Sequence, residues 1–200
     1  MKYKSRLLPL SIAAAALSMG AMHTAQAQEQ IVKIGHTGPL SGSNAFAGKD
    51  NENGVHMAVD ELNTKKIKVG GKTLKFELAS EDDQCDPKTG MAVAQKLMDS
   101  GVKFVMGPYC SGVAIPASRI YDSGGAILST VGSNPKVTMG GYKSVFRVIA
   151  GDNLIGSSMA QYAFNTMKAK TAGVIDDRTA FGQGLADEFI KEAKVLGLTI

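Results

Sequence analysis

The sequence predicts an α/β protein built on a parallel sheet, with a second α/β unit beginning near Gly151. Three observations carry that expectation. Short runs rich in β-branched and apolar residues alternate with longer amphipathic stretches, the order that lays helices on the faces of a mostly parallel sheet. The joining segments are short and rich in Gly, Ser, Asn and Asp, residues that close turns. After Ala150-Gly151-Asp152-Asn153 the helix-then-strand rhythm starts again.

Ahead of the first element, Lys2, Lys4 and Arg6 precede an apolar run from Leu7 to about Met22, and Ala25-Gln26-Ala27 gives the small-x-small pattern of a cleavage site. The run is short for a spanning anchor, which needs roughly 20 apolar residues. No cysteine stands at the cleavage point to carry a lipid. Residues 1–27 are therefore expected to be a signal peptide, leaving a soluble, periplasmic chain that starts near Gln28 and has no direct membrane anchor.

Ile31 to Thr37 reads as the first strand and runs into a Gly- and Ser-rich loop, Gly38 to Gly48. Val55, Ala58, Val59 and Leu62 then recur at helical spacing. Val69 to Lys72 is turn material, and Leu74 to Ser80 is the second strand. Pro87 opens the next helix, with Asp86 as its cap and Met91, Ala94, Leu97 and Met98 as its buried stripe. Val102 to Gly107 is a continuous apolar run of the kind buried on both faces. Ser111 stands where it would cap a third helix reaching about Tyr121, with Pro116 making the first turns irregular. Ala126 to Thr130 and Val145 to Ile149 are further extended segments.

In the second unit a helix is expected over about 153–167, a strand over Thr171 to Ile175, a helix over about 182–196, and a last strand from Leu198. About 50 residues are too few for an independent α/β lobe. Residues 28–150 are thus expected to form a first lobe, and 151–200 the start of a second one that is incomplete in this chain.

The charge balance argues against two classes of partner. The chain holds 22 Lys and Arg against 18 Asp and Glu. The leader takes three of the bases and no acid, which leaves 19 against 18. A mature chain so nearly neutral has no electrostatic reason to bind nucleic acid or an anionic membrane. The two cysteines, Cys85 and Cys110, enter an oxidising compartment, where an even pair reads as a disulfide more often than as free thiols. Closing a loop of that length stabilises a fold by about 3–4 kcal/mol in the chain-entropy model. A metal site is the weaker alternative, because two cysteines without a nearby histidine cannot complete a tetrahedral set.

Ligands of open parallel sheets bind beyond the carboxyl ends of the strands. The loops at that edge here are Thr37 to Gly48, Tyr109 to Gly112, Val131 to Asn134 and Asp176 to Gly184. At Ser111 and Gly112 a strand hands over to a helix, so a hydroxyl, free N–H groups and the helix dipole converge. A ligand carboxylate fits there, and so does the plain role of Ser111 as a helix cap. Catalysis has little support. His36 and His56 lack a third partner, and the nucleophile elbow, the phosphate loop and the dinucleotide fingerprint are all missing. The acid run Glu81-Asp82-Asp83 lacks the alternating spacing of a calcium loop and reads as a solvated turn. The ten methionines fall mostly in the leader or on helical stripes and read as core. No cofactor and no enzymatic activity are expected.

Four stretches carry a more specific signal: IVKIGHTGPLSGSNAFAGKDNENG, ASEDDQCDPKTGMAVAQKL, GPYCSG followed by IPASRIY, and IDDRTAFGQGLADEF. In this order and spacing they resemble the periplasmic leucine/isoleucine/valine-binding proteins of ABC importers, across essentially the whole mature chain. The broader family also takes up other amino acids, amides, urea and aromatic acids. The resemblance implies two Rossmann-like lobes of the type I periplasmic binding protein kind, joined by hinge crossovers, with one ligand clamped between them.

By the same resemblance Ser111 matches the serine whose hydroxyl and N–H hold the ligand carboxylate, with Tyr109 and Cys110 as its neighbours. Cys110 with Cys85 matches the family disulfide. Gly132 matches the residue whose carbonyl takes the ammonium group, and Phe181 matches an aromatic reaching over from the second lobe. There are two departures. Asn134 stands where a threonine is usual, and Ala47 stands where a tyrosine lines the side-chain pocket, which makes the pocket roomier or leaves Phe46 to substitute. The acidic ammonium partner falls beyond Ile200.

The expected function is capture of an amino acid, branched-chain or similar, and its delivery to the membrane permease of an ABC importer. A sensory or regulatory module of the same fold, for an amide or related molecule, is the alternative. A secreted hydrolase is disfavoured by the lack of a nucleophile–base pair.

Overall fold

The computed structural model describes residues 29–200, so the expected signal peptide lies outside the described residues. The strands are β1 (Glu29–Gly38), β2 (Lys68–Val69), β3 (Lys72–Asp82), β4 (Phe104–Met106), β5 (Ile127–Thr130) and β6 (Val145–Arg147). The helices are α1 (Ala45–Thr64), α2 (Pro87–Asp99), α3 (Ser111–Ser123), α4 (Asp152–Asn165) and α5 (Ala180–Leu196), with a 3-10 turn over Pro135–Val137.

One six-stranded sheet runs in the order β2-β3-β1-β4-β5-β6. All its neighbours are parallel except the β2–β3 hairpin, which closes at the Gly70-Gly71 turn. The α/β expectation therefore stands, with β2 as an extra strand inside what reads as turn material.

Local chemistry accounts for the helix starts. Asp86 caps α2 by accepting from the Thr89 N–H at 2.7 Å, with Pro87 at the first turn, where its missing donor costs nothing. Thr179 caps α5 through the Gly182 N–H at 2.9 Å. α3 is different. Cys110 occupies its cap position, and Ser111 is already the first helical residue. Pro116 removes one internal donor without interrupting the helix, which is continuous to Ser123.

The principal core lies between the sheet and the layer of α2 and α3. It joins Val93, Ala94 and Leu97 of α2, Ala114, Ala117 and Tyr121 of α3, and Val105, Leu128 and Val145 of the strands. Val93 takes the inward place that helical spacing assigns to Met91, which is exposed. Met57, Met139, Met159 and Met167 are exposed as well, so the methionines are not mainly core. They sit on faces that no described element covers.

The opposite face of the sheet is covered only in part. α1 lies over β1, burying Val59 and leaving Val55 and Leu62 half-buried and Ala58 exposed. A groove of about 390 Å³ remains between it and the sheet, lined by Ile34, Val55, Leu62 and Met106 among others. Register places Ile34, Phe104 and Ile127 in one row and Met106, Ser129 and Phe146 in the next, all on that face because side chains alternate along a strand. Phe104, Ile127 and Phe146 are 40%, 45% and 52% exposed. Among the described residues β4 is therefore buried on one face only, contrary to its continuous apolar run.

α4 and α5 pack against each other around Ala160, Ala193 and Leu198. The strands expected over Thr171 to Ile175 and from Leu198 shrink to one parallel bridge, Thr171 to Thr199. Ala172 N–H donates to the Thr199 carbonyl at 2.9 Å, and Thr199 N–H to that of Lys170 at 3.0 Å. A strand exists through its ladder, and these segments have only each other to pair with among the described residues.

Candidate ligand-binding site

The carboxyl ends of β4 and β5 converge on the start of α3, and one buried hydroxyl ties their loops together. Thr130 Oγ1 donates to the Pro108 carbonyl at 2.6 Å and accepts from the Gly132 N–H at 2.9 Å. Gly132 thereby sits against the first turn of α3, where an added Cβ would lie 3.0 Å from that of Ala114 and 3.5 Å from the Ser111 Cα.

Ser111 is buried, and its Oγ accepts from the Asn134 N–H at 3.2 Å. It does not cap its own helix. With a lone pair taken by that N–H, the hydroxyl proton is free to be donated. The first N–H groups of α3 have no acceptor within the helix, and its dipole favours a negative group there. Hydroxyl and helix end together suit a carboxylate.

Cys110, the residue before Ser111, is bonded to Cys85 across 25 residues, with the Cα atoms 5.5 Å apart. Asn44 Nδ2 lies 3.5 Å from the Cys85 Sγ, so the disulfide links the start of α1 to the start of α3. Phe46 and Ala47 are in that first turn of α1, Phe46 being 77% exposed and Ala47 half-buried. Tyr109 is exposed at the strand-to-helix turn.

The acid run shapes this edge and is no solvated turn. Asp83 is fully buried and accepts from Thr37 Oγ1 at 2.8 Å and from the Cys85 N–H at 2.9 Å. Asp82 accepts from the Leu40 N–H at 2.8 Å and the Gln84 N–H at 2.9 Å. Glu81 pairs with Lys96 at 2.7 Å. Asp82 thereby ties the Gly38–Gly48 loop to the end of β3, Asp83 ties the end of β1 to the turn after β3, and Glu81 ties β3 to α2. His36 is a packing residue, held between Ser80 Oγ at 3.0 Å and Asn51 Oδ1 at 3.3 Å, and burial pushes its pKa down.

Asn134 is committed in a way the sequence does not disclose. Its Oδ1 accepts from the Lys136 N–H at 3.0 Å, capping the 3-10 turn, and its Nδ2 donates to the Ala180 carbonyl at 2.7 Å. The side chain thus bridges the β5 loop to the first turn of α5. At the same contact, Ala180 Cβ lies 3.8 Å from where a Gly112 Cβ would be, so the starts of α3 and α5 face each other.

Phe181, next in sequence, lines a different hollow of about 470 Å³ together with Met159, Val174, Leu185 and Phe189. The structure therefore gathers Ser111, Gly132 and Asn134 in one place, with Tyr109 beside them. Phe46 and Ala47 are joined to that place through the disulfide, and Phe181 lies on the far side of Ala180. Thr130 and Ala180 are additions. Thr130 reads in the sequence as an ordinary β-branched strand residue, and a backbone carbonyl such as that of Ala180 leaves no sequence signal.

The strand-end loops of the α/β unit thus face the start of a helix from the following segment. The chain belongs to the periplasmic binding protein family, whose model matches residues 31–200. It is 39% identical over 170 residues to an amino acid binding protein of Pseudomonas aeruginosa, covering 84% of this chain and 44% of that one. It is 34% identical over 187 residues to the leucine-specific-binding protein of Salmonella typhimurium, covering 93% of this chain and 48% of the relative. Among solved structures, an ABC transporter substrate-binding protein from Desulfitobacterium hafniense in complex with Leu matches with a TM-score of 0.68 and 31% identity, covering 86% of this chain and 49% of that one. The chain spans about half the length of these relatives. Among the described residues no helix is long and apolar enough to cross a membrane.

Proposed function

We propose that this chain is the front part of the periplasmic solute-binding component of an ABC importer. It captures an amino acid, branched-chain or similar, between a first lobe (28–150) and a second that begins at 151, and delivers it to a membrane permease. The observation that carries the reading is the environment of Ser111. A buried hydroxyl with a lone pair held by the Asn134 N–H, at 3.2 Å, stands at an open helix N-terminus opposite a second helix start. That arrangement recognises a carboxylate. The similarity to an amino acid binding protein, a leucine-specific-binding protein and a substrate-binding protein in complex with Leu supplies the amino-acid part of the proposal.

Tyr109 and Gly132 line the same place, and Asn134 acts by joining the two units. Phe46 and Ala47 stand at the rim as side-chain selectors, and Phe181, which lines its own hollow in the second unit, reaches the ligand only on closure. A ligand that touches both units favours the closed arrangement by the difference in its affinity for the two states.

A thermal-shift screen of the full-length mature protein against the standard amino acids tests this. At 100 times its dissociation constant, a ligand of the folded state adds about 2.7 kcal/mol, and a shift confined to one or a few aliphatic amino acids is expected. No shift with any amino acid contradicts the proposal.

A further inference from the structure

Asp152 is the buried charge-bearing group at the meeting of the two units that no hydrogen bond explains. It opens α4, and its own N–H donates to the Ser133 carbonyl at 2.9 Å. Its side chain is fully enclosed, and neither carboxyl oxygen has a hydrogen bond of good geometry among the described residues, the Ser133 hydroxyl being the side-chain donor close by. Four neighbours surround it: the Ser133 hydroxyl, the Arg147 guanidinium at the end of β6, Glu188 of α5, and the Gly184 backbone. Arg147 does not discharge it. Its Nη1 donates to Thr138 Oγ1 at 3.2 Å and to the Asn134 carbonyl at 3.4 Å, while its Nε is buried without a partner.

Gly184 lets α5 come close to the Asn134 amide and to Asp152. A Cβ there would lie 3.6 Å from Asp152 Oδ2 and would overlap the Asn134 amide nitrogen. α5 thus closes directly over Asp152 and over the Asn134 bridge to Ala180. Any parting of α5 from the Ser133–Asn134 loop lets water in to the carboxyl group.

We propose that Asp152 is a proton-linked latch on the seam between the two units: closing the seam encloses its carboxyl group and takes up a proton from solvent, and opening hydrates it and releases that proton. An unpaired carboxylate is costly to bury, so the enclosed group prefers its neutral form. Burial pushes its pKa up, with the Ser133 hydroxyl and Arg147 opposing and Glu188 adding to the rise. A group with a higher pKa in the closed state favours closure below its open-state pKa. That help is lost as pH rises through the closed-state value.

The ligand part of the test rests on the amino-acid-binding reading; the melting part does not. In the full-length mature protein, amino-acid affinity is expected to fall as pH rises above the ordinary carboxylate range, by at most about tenfold per pH unit for one proton. Asp152→Asn, which copies the neutral form, should flatten that profile and bind at least as tightly as wild type at pH 7. Melting curves with no ligand should show Asp152→Asn gaining on wild type as pH rises. A profile equally steep in the Asn variant overturns the latch, as does a variant that melts lower than wild type at pH 7. If no amino acid binds at all, the functional reading fails, and the melting comparison still decides the latch.

Discussion

Tyr121 carries a hydroxyl that is enclosed in the principal core and has no hydrogen-bond partner among the described residues. An unmet buried polar group costs about 1–3 kcal/mol, whereas the ring itself is well packed. Tyr121→Phe keeps the ring and deletes the unmet group, so its melting temperature should equal or exceed that of wild type. A loss of more than about 1 kcal/mol in denaturant unfolding would instead mean that the hydroxyl is satisfied. Residues whose role is local are legible in the sequence: Asp86 caps α2 through a neighbour three positions on. Residues that act at a distance are not. Asp83 meets Thr37 across 46 residues and Asn134 meets Ala180 across 46, and nothing in the run Glu81-Asp82-Asp83 or in a lone Asn distinguishes such roles from exposure to solvent.

Between elements, α2 meets α3 closely in the core at Gly90. A Cβ on Gly90 would overlap Val113 Cγ1, and both residues are buried. Helix propensity alone would make Gly90→Ala stabilising by roughly 1 kcal/mol. Overpacking opposes it by about 1–3 kcal/mol, and because the clash is with a branched side chain held in the core, overpacking should win. Chemical denaturation is expected to show a net loss, and a stabilised variant would mean that α2 and α3 are free to separate. The sequence shows α2 through its periodicity and its Asp86-Pro87 start, and α3 through the strand-to-helix change at Ser111. It does not show how closely they pack. The same limit explains β4, where an unbroken apolar run predicts burial on two faces although the described elements cover one. It also explains Thr171 to Ile175, where strand-forming residues lack the neighbours that would complete a ladder.

At the scale of the molecule, two apolar clusters divide the chain, one under the sheet and a smaller one between α4 and α5. The units they belong to touch where α3 and α5 begin, through Asn134, Ala180 and Gly112, and the candidate site is there. The strand-edge loops are legible in the sequence because Gly, Ser and Asn gather in them. The facing of two helix starts is not, since it depends on how β6 leads into α4. The central claim is that Ser111 donates to the carboxylate of an amino acid held at that junction. Calorimetric titration of the full-length mature protein and of Ser111→Ala, with the amino acid that stabilises wild type most, measures this directly. A hydrogen bond to a charged group contributes about 1.5–3 kcal/mol, so the variant should bind roughly tenfold to a hundredfold more weakly. Its folding stability should fall by only about 1 kcal/mol, the scale of one neutral hydrogen bond to the Asn134 N–H. A variant that melts far below wild type yet binds with unchanged affinity would contradict the account, leaving Ser111 as a brace for the β5 loop and the carboxylate elsewhere.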